Sequence, residues 1–135
     1  MGLRAPEDSP RGPCSGRASP RYLSEPLFAH GPMIHDEIRH LLDSPTTGAG
    51  APTLAAMEHT LTAGYAEALT LEAERWRLER RVAEVASLLG GGGAHADELA
   101  GLGKRLSATD RELQGLRALL DSLSDRAAAV RAAAA

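Results

Sequence analysis

The chain has 135 residues, a formal net charge of −3 and only 3% aromatic residues, with one Trp, two Tyr and one Phe. That length allows one domain, the aromatic content leaves little material for a globular core, and a pI near 5.9 argues against a nucleic-acid partner, which calls for a basic surface. The single cysteine, Cys14, can build neither a disulfide framework nor a cysteine-based zinc site within one chain, and no apolar run approaches the roughly 18 residues of a membrane span. The arginines near the N-terminus are followed by no apolar segment of the secretory type, so the expected location is cytoplasmic.

Residues 1–32 hold six of the eight prolines, interspersed with Ser, Gly and Arg. Such a segment cannot form helix and has too few apolar residues to offset its ordering entropy, so it is expected to be a disordered tail. Residues 33–43 read as a short amphipathic helix. Ile34, Ile38, Leu41 and Leu42 share one face, Asp36 and Glu37 lie in the first turn, and Arg39 and His40 lie toward the last, as the helix dipole prefers. Three turns do not hold a helix alone in water, so this one must dock on something. The same segment brings His30, His35, Asp36, Glu37 and His40 close in sequence. His35 and His40 are five apart, about 140° round a helix, and cannot share a metal on one face. No metal or cofactor is expected.

Residues 44–52 read as a flexible linker, and Thr53 as the N-cap of a long helix. The hairpin assigned to 53–131 comprises a helix over 53–89, a glycine turn over 90–94 and a helix over 95–131. Seam positions, apolar but for Arg75, recur at alternating steps of three and four: Leu54, Met57, Leu61, Gly64, Ala68, Leu71, Arg75, Leu78, Val82, Val85 and Leu89. After Gly90–Gly93 the pattern resumes at Leu99, Leu102, Leu106, Thr109, Leu113, Leu116, Leu120, Leu123, Ala127 and Val130. Two such seams joined by a flexible turn predict an all-α fold, a long antiparallel two-helix coiled-coil hairpin. One register closes the short turn, with partner numbers summing to 184. It pairs Val85 with Leu99, Leu78 with Leu106, Leu71 with Leu113 and Leu61 with Leu123. Gly64 and Ala68 then meet Leu120 and Leu116, Met57 meets Ala127, and the two polar seam residues Arg75 and Thr109 face each other. Arg81–Glu98, Glu74–Arg105, Glu72–Arg117 and Glu58–Arg131 are complementary flanking pairs, while Glu79 faces Asp110. Arg75 reads as a polar residue that sets register, its stem covering the seam and its guanidinium reaching solvent or Glu79.

Tyr65, Leu69 and Trp76 lie beside the seam at i, i+4 and i+11, forming an apolar ridge that a lone hairpin leaves partly in water. The covering expected first is the 33–43 helix folding back through Ile34, Ile38 and Leu41. A second copy of the chain, or another protein, is the alternative. No residue set reads as an active site. Gly90–Gly93 follows no strand and precedes no Gly-Lys-Ser/Thr, so it is a turn rather than a phosphate loop. The expected role is therefore a non-enzymatic coiled-coil interaction or scaffold module, acting through a protein partner or as a homodimer. Nucleic acid, membrane and small-molecule substrates are not expected. A small acidic regulator is a further alternative, although neither a DNA-binding element nor a neutralising tail is evident.

The segment Leu71-Glu-Ala-Glu-Arg-Trp-Arg-Leu-Glu-Arg-Arg-Val82 resembles the small, uncharacterised helical-hairpin proteins of high-GC bacteria, a likeness of shape that implies a hairpin and no activity. In size and shape the chain also resembles the WXG100 family of secreted helical hairpins. That family carries Trp-x-Gly in its turn and a Tyr-x-x-x-Asp/Glu export tail. Here the turn is Gly90–Gly93, Trp76 lies within the first long helix and the chain ends in alanines.

Overall fold

The structure is a computed structural model and describes residues 31–88, 90 and 93–135. The expected disordered tail lies outside these residues, apart from Gly31 and Pro32, which open the first helix. Among the described residues three helices follow in order: α1 (Gly31–Asp43), α2 (Leu54–Ala86) and α3 (Gly93–Ala134). Among the described residues there is no strand.

The two long helices pack against each other and run in opposite directions. Their order is fixed by side-chain pairs that climb one helix while descending the other: Arg81 with Glu98 at 2.6 Å, Arg105 with Glu74 at 3.3 Å, Arg117 with Glu72, and Arg131 with Glu58 at 2.7 Å. All are exposed or half-exposed, so each is worth about 0–1 kcal/mol and they orient the pair more than they hold it. α2 starts where its cap chemistry directs. The Thr53 hydroxyl accepts from the Ala56 N–H at 3.1 Å, satisfying one of the unpaired donors of the first turn. Thr62 and Thr70 would weaken the N-terminal half, but each donates its hydroxyl to the carbonyl four residues back. α2 ends three residues before the expected 89, with the Ser87 N–H and hydroxyl bonded to the Ala83 and Glu84 carbonyls. α3 begins at Gly93, two residues earlier than expected, and continues to Ala134.

Burial follows the seam and divides it into two lobes. The larger contains Met57, Leu61, Ala68, Leu71, Leu113, Leu116, Leu120, Leu123 and Ala127, together with Ile34 and Ile38 of α1. The smaller consists of Leu78, Val85 and Leu102, flanked by Val82, Leu99 and Leu106. Between them lies the polar layer. Glu79 and Asp110 were expected to oppose each other; instead Arg75 sits between, its Nε at 3.0 Å from Glu79 and 3.1 Å from Asp110.

α1 docks on the larger lobe. Ile34 and Ile38 are fully buried, worth about 1.5–3 kcal/mol each in transfer terms, and Leu41 and Leu42 pack at the edge. Gly64 makes this fit possible. A Cβ there would collide with the Leu120 side chain and touch Ile38, so the glycine lets three helices approach at one level. The end of α1 is held by Arg126 of α3. Its guanidinium donates to the carbonyls of Leu41, Leu42, Ser44 and Pro45 at 2.6–2.9 Å, taking up acceptors that the helix terminus leaves unpaired. The first residues of the segment expected to be a flexible linker are thus fixed to α3.

Candidate interaction surface

Tyr65, Leu69 and Trp76 all point away from the seam. Their exposures are 48%, 66% and 70%, and only Met33 and Leu88 join them as large apolar side chains in the open among the described residues. The expected cover is not there. α1 joins, through Ile34 and Ile38, the lobe against which Ala63 and Leu119 pack and beside which Thr60 is buried, and its end is clamped by Arg126. In the helical repeat those α2 positions lie well round the cylinder from Tyr65 and Leu69. Ile34 and Ile38 therefore complete the seam lobe rather than the ridge, and the expectation that they cover the ridge is corrected.

The three ridge residues form one continuous surface. Tyr65 and Leu69 border a shallow groove whose far wall is Arg117 and Asp121 of α3, with Glu72 at one end. Leu69 and Trp76 border a second depression floored by Ala73 and again edged by Glu72. Leu69 and Glu72 belong to both, so the path from Tyr65 to Trp76 is unbroken. The groove measures about 260 Å³, below the roughly 300–1,000 Å³ of pockets that enclose small molecules, and suits an inserted side chain. Arg117 is turned onto Glu72. That pairing leaves Asp121 as the remaining charge on the groove wall.

The remaining chemistry is that of solvated helix faces. Among the described residues, no three of His, Cys, Asp and Glu gather closely enough to hold a metal ion. His35 and His40 stand on α1 away from any such cluster. Hydrogen bonds from Arg81 to Glu98 and then Glu84 raise its pKa further above the ordinary arginine value, so this cation does not titrate. No described helix is long and apolar enough to cross a membrane.

Residue spacing identified the ridge but not its neighbours. Ala73, Arg117 and Asp121 complete the surface, and of these Ala73 had a signal in sequence, lying between Leu69 and Trp76 at steps of four and three. The Arg126 clamp had none, because it joins positions 81–85 residues apart through backbone oxygens. No family model, curated protein or solved structure matches the chain.

Proposed function

We propose that this chain is a non-enzymatic interaction or scaffold module, an antiparallel coiled-coil hairpin that presents the Tyr65–Leu69–Trp76 face of α2 to another helix. The observation that carries this reading is the uncovered ridge. Three of the five large exposed apolar side chains among the described residues form one strip, on a flank that the short helix α1 does not cover. Aromatic side chains on such a face are the usual anchors of interfaces. The coiled-coil description rests on the three-four spacing of both seams and on the ion pairs at the expected register. The same features suit the small helical-hairpin class that the Leu71–Val82 segment resembles.

The test uses the intact chain as bait beside Leu69→Glu and Trp76→Glu. Both residues are exposed, so neither change removes a packed contact within the chain's own fold. A protein held by the parent and released by both variants is the expected result. Capture that is indifferent to both changes, or no capture of any protein, a tagged second copy of the chain included, overturns the reading.

A further inference from the structure

We infer that the occupant of this face is a second copy of the chain, packed α2 against α2 in antiparallel register about a two-fold axis. The inference rests on the interaction-module reading and names its partner. It comes from a second heptad stripe on the outer face of α2: Thr62, Ala66, Leu69, Ala73, Trp76, Arg80 and Ala83. The steps are four, three, four, three, four, three, and every member is exposed. The stripe points away from α3, the seam on the other side of the same helix being already filled. Five of the seven members, Ala66, Leu69, Ala73, Trp76 and Ala83, are apolar, and apolar residues at a 3.5-residue repeat on the solvent side have the pattern of a strand in a coiled coil.

The stripe is complementary to itself. A two-fold antiparallel pair matches residues whose numbers have a constant sum, and with a sum of 142 large side chains oppose small ones throughout. Leu69 faces Ala73 of the second copy, Trp76 faces Ala66 and Arg80 faces Thr62. The depression floored by Ala73 at the foot of Leu69 and Trp76 is the hole such packing needs. Sliding by one heptad loses the match. A sum of 149 sets Leu69 against Arg80, and a sum of 135 sets Trp76 against His59. Glu72 approaches its symmetry mate near the axis, where each is already neutralised by Arg117 of its own chain.

The area agrees with a specific but modest dimer. The exposures of Tyr65, Leu69 and Trp76 correspond to roughly 400 Å² of open side-chain surface per copy. With the alanine, threonine and arginine members, two copies bury on the order of 1,200 Å², at the lower bound for a specific interface. α1 sits on another flank and does not obstruct the approach.

The experiment is sedimentation velocity on the full chain across nanomolar to high-micromolar concentrations, read beside Trp76 emission and site-directed disulfides. In a Cys14→Ser background, Leu69→Cys chains mixed with Ala73→Cys chains should cross-link, since only close Cα pairs can be bridged. Leu69→Cys alone, which reports a parallel pair, should not. Emission from Trp76, the only tryptophan, should shift red on dilution. Ala73→Glu, at an exposed position, should move the chain to the monomer. A monomer at every concentration with constant emission, or cross-links only in the parallel or slipped combinations, overturns the second copy as occupant. If that monomer still captures another protein through Leu69 and Trp76, the interaction-module reading stands, and if ridge-dependent capture is also absent, both fall.

Discussion

Replacing Arg126 with alanine should release α1 from the hairpin. One guanidinium serves four carbonyl oxygens, those of Leu41, Leu42, Ser44 and Pro45, at 2.6–2.9 Å. Hydrogen bonds to a charged group contribute about 1.5–3 kcal/mol each, but water can reach the carbonyls near Pro45 once the arginine is gone. The four together are therefore expected to be worth about 2–4 kcal/mol, in the upper range for a single substitution. Against them stands the burial of Ile34 and Ile38, about 3–6 kcal/mol in all. A 13-residue helix is marginal on its own, so undocking and unfolding of α1 are one event. Amide hydrogen exchange reads that event directly. A loss of 2 kcal/mol lowers protection in residues 34–42 by about 30-fold, whereas amides of residues 78–85, in the smaller lobe, should exchange as before. Arg126→Lys should fall between, because an ammonium cannot fork across four acceptors. Unchanged protection of α1 in Arg126→Ala would show that the isoleucines alone hold the helix and that the clamp is incidental.

Gly64→Ala should forfeit the ordinary gain of about 1 kcal/mol for Gly-to-Ala in a helix, since its Cβ collides with Leu120; Gly115→Ala, with nothing near its Cβ, should keep that gain and raise the melting temperature by several degrees. Equal melting temperatures for the two variants would contradict the close approach at Gly64. Arg75→Leu should stabilise the hairpin by about 1–3 kcal/mol through added burial, with the advantage over the parent growing as salt screens the parent's pairs to Glu79 and Asp110; a lower melting temperature at all salt concentrations would refute it. A chain beginning at Thr53 should melt earlier for want of Ile34 and Ile38, yet keep its Trp76 emission, and a red shift on that truncation would place α1 on the ridge after all.

The seam was legible because it depends on a local repeat that two helices must satisfy together. Knowing that Leu61, Leu71 and Leu78 are three or four residues from their apolar neighbours fixes both their helix and their burial. The register followed from closure of the short turn, and size and charge agreed with it, with Gly64 against Leu120 and Glu58 against Arg131. Two things escaped. The face chosen by α1 depends on Thr60, Ala63 and Leu119, residues of mixed polarity whose pattern gives no direction, and on the Arg126 clamp, which bonds to backbone and so leaves no sequence partner. The Arg75 layer was half legible. Its position and the reach of Arg75 to Glu79 are evident in the sequence, where Glu79 faces Asp110, but the second contact, to Asp110, has no signature there. Arg75 is long enough to bridge both. The helix ends shifted by two or three residues at the glycine run, where Gly93 can join α3 at little cost.

The place where the hairpin is weakest coincides with the place where the outer stripe is strongest. The core is interrupted at Arg75, and beyond it, among the described residues, only Leu78, Val85 and Leu102 are buried. α1 adds nothing there, because its contacts lie in the larger lobe. Trp76 follows Arg75 directly and, about 100° further round α2, lies off the seam, with Ala83 carrying the stripe past the break and Leu69 and Ala66 anchoring it before. A helix packed along that stripe spans the interruption from outside and joins the two lobes as a splint. Association should therefore protect the smaller lobe more than the larger one. In the full chain, exchange of the amides of residues 78–85 should slow as concentration rises through the dimerisation range, while residues 113–123, already within the three-helix lobe, change little. Equal protection gains in both lobes would mean that binding stabilises the hairpin only globally. No gain in either would mean that the stripe's partner contributes nothing to holding α2 together across Arg75.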